Sequence, residues 1–174
     1  GNTWVQSQID TNLGDYGGLN ALFVTEEGDY IIAYYDSLLD NVKFARSTDD
    51  GTSWEISILY DGIDLEKGGA TGIDLMGDTS GNYLATFYEQ SGTNTIIFAK
   101  SKDKGVTWSN EVVASDVVAT TLDLEIDKKE NTLILYWDVN SHMSLAKETN
   151  TAPVISLPVV SSGLIPLVLG TIED

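Results

Sequence analysis

Ser47-Thr48-Asp49-Asp50-Gly51-Thr52-Ser53-Trp54 reappears further along the chain as Ser101-Lys102-Asp103-Lys104-Gly105-Val106-Thr107-Trp108. Both copies read S-x-D-x-G-x-[ST]-W. Gly1-Asn2-Thr3-Trp4 matches the last four positions of the same pattern. Recurrence at an interval of about 50 residues marks a repeat architecture. The motif also reads as a turn. Its Asp accepts from backbone N–H groups a few residues on, and its Gly supplies a positive φ. The Trp then folds back as an apolar plug with its N–H free for a partner. Ser47, Asp49, Gly51 and Trp54, with Ser101, Asp103, Gly105 and Trp108, are therefore expected to be structural, since a motif used repeatedly is not a unique active site.

Working outward, each Trp opens a short, partly alternating strand, at 4–10, 54–61 and 108–116. A connection leads to a second strand at 19–24, 73–76 and 122–126. A tight turn follows each, at 26–29, 78–82 and 127–131. The next strands, 30–36, 83–89 and 132–138, are the most apolar. The last, at 42–46, 96–100 and 143–147, run in two of three cases straight into the motif. The unit is thus four short strands, used about three times. Continuous apolar runs in the 30–36 class imply that both sheet faces are covered. Sheets stacked face to face around an axis achieve that, so the expected fold is all-β: a β-propeller of four-stranded antiparallel blades. Three blades do not close, because propellers typically have four to eight. Residues 4–10 look like a fourth strand without its first three, and the third unit has three strands without a fourth. Either chains pair to complete a ring, as a homo-oligomer, or the chain is part of a larger propeller. Gly1 opens inside a copy of the motif, so either a longer precursor was cut or truncated here, or Gly1 is not a native residue.

The motif resembles the Asp box of the bacterial neuraminidase repeat, found in sialidases, sortilin-like receptors and many secreted β-propellers. The resemblance covers roughly residues 1–148. It implies that the boxes join the third and fourth strands of each blade, on the rim away from the ligand face, and that the protein is extracellular or at the cell surface. Sialidases grip a substrate carboxylate with three arginines, since guanidinium–carboxylate pairing is strong and directional. Here Arg46 stands alone, at a repeat position that holds Lys100 in the next unit. The resemblance therefore implies a non-catalytic member, or a fragment of a sialidase-like glycoside hydrolase whose arginines lie elsewhere.

Three aromatic–carboxylate pairs end the same strand of successive units: Tyr35-Asp36, Tyr88-Glu89 and Trp137-Asp138. They could converge on a patch suited to sugar stacking, or serve as inter-blade core and strand-end caps. A glycan or protein ligand is the expected partner. Asp61, Asp64 and Glu66 offer oxygens within a few positions and could hold Ca²⁺, although they do not match an EF-hand loop; no motif requires a cofactor.

The net charge is −18, from 27 acidic against 9 basic residues. That balance excludes nucleic acid and anionic membrane surfaces as partners, since both select Lys/Arg clusters. The chain has no cysteine, hence neither disulfides nor thiolate metal sites. Residues 149–174 form a second segment, apolar, holding all three prolines and uncharged until Glu173-Asp174. Its prolines and the lack of flanking Lys or Arg argue against a membrane span. An extended segment docked on a sheet edge or face is expected, on its own propeller or a neighbour's. Donation would join subunits into a surface filament or array.

Overall fold

The computed structural model describes residues 1, 3–11, 13–14, 19–61, 72–90, 93–117, 121–138, 140 and 142–148. They form three antiparallel sheets in chain order. Blade 1 comprises β1 (Asn20–Val24), β2 (Tyr30–Asp36), β3 (Asn41–Ser47) and β4 (Glu55–Asp61). Blade 2 comprises β5 (Ile73–Gly77), β6 (Tyr83–Glu89), β7 (Thr95–Ser101) and β8 (Ser109–Ala114). Blade 3 has β9 (Leu122–Ile126), β10 (Thr132–Trp137) and β11 (Met143–Lys147). Each strand pairs with its sequence neighbour, and the first strands lie side by side, β1 against β5 and β5 against β9. The sheets therefore radiate from a line of first strands: an arc of a β-propeller.

Alternation along the strands builds the two junctions. Tyr83, Ala85 and Phe87 of β6 join Ile31, Ala33, Val42, Phe44 and Leu59 in a core between blades 1 and 2. The intervening Leu84 and Tyr88, with Ile96 and Phe98, pack against Leu124 and Ile134 of blade 3. All seven residues of β6 are buried, as a strand with both faces covered requires. Each large apolar side chain sealed this way contributes about 1.5–3 kcal/mol relative to exposure.

The end blades differ from that expectation for a simple reason: among the described residues each has one neighbouring blade. Leu22, Val24, Ile56 and Ile58 of blade 1 are exposed, as are Met143 and Leu145 of blade 3. β10 alternates between covered and partly open positions. Residues 4–10, expected as a strand, form none and pair with no sheet among the described residues. Only their end is fixed. Asp10 accepts from Tyr34 Oη (2.9 Å) and Lys43 Nζ (3.0 Å) on the open face of blade 1.

Both repeat motifs connect the third strand of a blade to its fourth, with the same bonds. In the first, Ser47 Oγ donates to Asp49 Oδ1 (2.8 Å) and accepts from Gly51 N (2.9 Å). Asp49 also accepts from Ser53 N (2.9 Å) and Ser53 Oγ (2.6 Å). Trp54 Nε1 donates to Gly51 O at 3.2 Å. In the second, Ser101, Asp103, Gly105, Thr107 and Trp108 repeat all five contacts within 0.1 Å. The left-handed pair is Asp50-Gly51 in one and Lys104-Gly105 in the other. Beyond the turns, the outer pairings shift register once per blade, at Val42/Lys43 and at Ile96/Ile97.

Candidate functional site

β2, β6 and β10 end, and β3, β7 and β11 begin, at one end of the arc. The repeat turns lie at the other, where β3 and β7 end. The three aromatic–carboxylate pairs thus share the hairpin end, as the sequence pattern anticipates, but their accessibility differs sharply.

In blade 1, Tyr35 is 2% and Asp36 0% exposed. Tyr35 Oη donates to Asp40 (3.2 Å), and Asp36 Oδ1 accepts from Leu38 N (2.9 Å), closing the β2–β3 hairpin. Lys43 Nζ lies 2.6 Å from Asp36 Oδ2 and 3.0 Å from Asp10. Burial works against the Lys43 charge, but the two carboxylates outweigh it and its pKa rises. In blade 2, Tyr88 is 1% and Glu89 7% exposed. Tyr88 Oη donates to Val117 O (3.1 Å). Glu89 accepts from Tyr60 Oη of blade 1 (3.1 Å) and from Thr95 Oγ1 (3.2 Å). Burial, then the Glu89 charge, pushes the Tyr60 phenol up to about 12. These four residues face the interior and hold hairpins and blade junctions together.

Blade 3 presents the accessible pair. Trp137 is 38% exposed. Asp138 Oδ1 caps the β10–β11 hairpin, accepting from Asn140 N (2.8 Å) and His142 N (2.9 Å). The His142 N–H bond first of all keeps the Asp138 carboxyl below its ordinary pKa, so it is ionised. An exposed indole face can stack on the apolar face of a sugar ring. The Asp138 carboxylate, which accepts from Ser144 Oγ (3.3 Å) opposite Tyr136, lies on the other face of the sheet from Trp137, which is paired with Met143.

Of the possible Ca²⁺ ligands, Asp61 ends β4, while Asp64 and Glu66 lie outside the described residues. Among the described residues no group of three metal-ligating side chains comes together. Arg46 is bound to Asp29, its Nη2 2.6 Å from Oδ2. Residues 149–174 also lie outside the described residues; among those described, no helix is long and apolar enough to cross a membrane.

Sequence reasoning missed one recurrent device. Asp78 accepts from Ser80 N, Asn82 N and Asn82 Nδ2, and Asp127 makes the matching bonds with Lys129 and Asn131. Burial works against the Asp78 charge, but its bonds from Asn82 outweigh it and lower the carboxyl pKa; the Asn131 side-chain bond first of all lowers that of Asp127. The signal, Asp and Asn four positions apart in both hairpins, is legible once the repeats are aligned.

No family model and no curated protein matches the chain. Solved structures do. A protein of unknown function from Dyadobacter fermentans aligns at 17% identity and TM-score 0.55, over 75% of this chain and 47% of that one. An endo-arabinase from Bacteroides thetaiotaomicron aligns at 16% identity and TM-score 0.51, over 78% and 56% respectively. A fucose lectin from Kordia zhangzhouensis, solved with methyl-fucoside, aligns at 13% and 0.51, over 76% and 93%. At these identities the likeness establishes the β-propeller fold and nothing further. The chain spans about half the length of the first of these proteins.

Proposed function

We propose that this chain is a sialidase-like, Asp-box propeller element that binds glycans at the cell surface or outside the cell rather than cleaving them. The observation that carries the reading is Trp137, a partly exposed indole at the hairpin end of blade 3. A fucose lectin and an endo-arabinase on the same fold support sugar as the ligand class. Against catalysis stands the commitment of the other carboxylates: Asp36 is tied to Lys43, and Glu89 accepts from two hydroxyls inside a blade junction. The one arginine is held by Asp29.

A second reading, a piece of a sialidase-like glycoside hydrolase, draws on the share of the endo-arabinase that the chain spans, 56%. Glycan-array binding with the full chain and with Trp137→Ala separates the two. Binding lost in the variant supports the lectin reading. Binding to no sugar sinks it, and release of free sugar from a polysaccharide or sialoside favours the hydrolase.

A further inference from the structure

Between blades 2 and 3 lies a groove of about 270 Å³ lined by Phe98, Glu111, Thr132, Ile134 and Ala146. Repeat alignment equates these with Phe44, Ser57, Tyr83, Ala85 and Ala99 at the junction of blades 1 and 2. There, Trp108 of the blade 2 turn packs edge-on against Phe44, with centroids 5.2 Å apart, and Phe44 meets Tyr83 at 5.5 Å. Ser57 Oγ donates to Gly105 O of the same turn (2.7 Å). Blade 3 cannot supply such a Trp from its own motif. Glu148 stands in the place of Ser47 and Ser101, and the Trp position falls on Ile155.

The chain carries the matching part at its other end. Six positions after its motif Trp, Tyr60 packs on Phe87 of the following blade, with centroids 5.0 Å apart. At the same offset, Ala114 packs in the cluster that contains Tyr136. Asp10 follows Trp4 by that offset too, and it is held by Tyr34, the counterpart of Phe87 and Tyr136. Residues 4–10 thus run where the fourth strand of a blade preceding blade 1 would lie, held at Asp10 and paired with no sheet among the described residues. Trp4, at their start, is 95% exposed.

We infer that Trp4 of a second copy fills the groove beside Phe98, while residues 4–10 of that copy pair along β11 as the fourth strand of blade 3. The register follows from the other blades: Glu55 faces Arg46 and Ser109 faces Lys100, so Val5 faces Lys147 of the acceptor. Made reciprocally, the exchange gives two chains and six blades with two-fold symmetry. It also sets the exposed Leu22 and Val24 face of blade 1 toward the exposed Met143 and Leu145 face of blade 3, which supplies the apolar surface that association needs. This goes beyond the glycan reading and does not depend on it.

Sedimentation equilibrium of the full chain is expected to give twice the 18.9 kDa chain mass. Because each chain carries −18, added salt should tighten the dimer. Trp4→Ala alters a side chain exposed in the single chain, so folding is retained, and it should weaken the dimer by about 30-fold or more, as loss of a buried aromatic anchor does. The chain has no cysteine. Val5→Cys with Lys147→Cys should therefore oxidise to a disulfide between chains. A wild-type monomer at every concentration, a dimer indifferent to Trp4→Ala, or a disulfide within one chain would each overturn the inference.

Discussion

Gly105 of blade 2 sits against the ring of Phe44 in blade 1: a Cβ built on Gly105 would lie 2.6 Å from Phe44 Cδ1. The equivalent glycine of blade 1, Gly51, has the same left-handed backbone, but nothing nearer than 3.6 Å to a built Cβ. One turn is docked on a neighbouring blade and the other is not, although their internal bonds are alike.

The pair gives a direct comparison. Gly51→Ala should cost about 1–2 kcal/mol, the penalty of a side chain in left-handed backbone. Gly105→Ala adds a clash with a buried aromatic and should cost a further 1–3 kcal/mol or so. Urea denaturation of the two variants checks the order; equal losses would contradict the docking of the second turn on blade 1.

Lys43 neutralises a carboxylate that has no access to water. Lys43→Met leaves Asp36 buried and unpaired and should destabilise the chain by about 3 kcal/mol. Combining it with Asp36→Asn should restore part of that, since Asn keeps an acceptor for Leu38 N while removing the charge. Thermal or urea unfolding of the single and double variants reads the difference.

Acid should loosen the corners of the blades. Hydrogen bonds from Ser53 hold the Asp49 carboxyl at about 2, below its ordinary 3.8, and those from Thr107 lower Asp103. A carboxylate with a depressed folded-state pKa lends stability that is complete above its unfolded pKa and is lost as pH falls toward the folded one. Stability should therefore hold down to about pH 4 and decline between about pH 4 and 2. In Asp49→Asn the acid decline should be shallower and stability at neutral pH lower. Denaturation midpoints measured against pH test both statements.

Trp137 should respond to association. Its counterparts Tyr35 and Tyr88 are 2% and 1% exposed where a blade follows, whereas among the described residues no blade follows Trp137. If chains close into a ring, sugar stacking and ring closure compete for this face. Glycan affinity should then be higher in the Trp4→Ala monomer than in the dimer, by several-fold. Titration calorimetry with a sugar that the array identifies, on wild type and variant, gives the comparison; unchanged affinity would place Trp137 clear of the closing face.

The fold was legible because its determinants are local. The sequence pattern at 30–36 and 83–89 coincides with β2 and β6 residue for residue, since polar turns bracket runs that can only be doubly covered strands. The motif turns were legible for the same reason: Ser47, Asp49 and Ser53 bond one another within a few positions. The candidate site was less so. Tyr35-Asp36, Tyr88-Glu89 and Trp137-Asp138 look alike in sequence, and what separates them is whether another blade follows, a relationship spread across the chain. Lys43 bridging Asp36 and Asp10 was invisible because Asp10 comes from a segment 33 residues away, while Asp36 lies across the same hairpin.

The register shifts at Val42/Lys43 and Ile96/Ile97 have a consequence for solubility. A bulge twists an outer strand and spoils it as a template for foreign strands, which is one way natural sheets guard their margins. β4 and β8 are the margins of their blades and carry that guard. β11 pairs with β10 in unbroken register and leaves its other margin unpaired among the described residues. In a chain deprived of a partner strand, uncontrolled fibrillar growth should begin there.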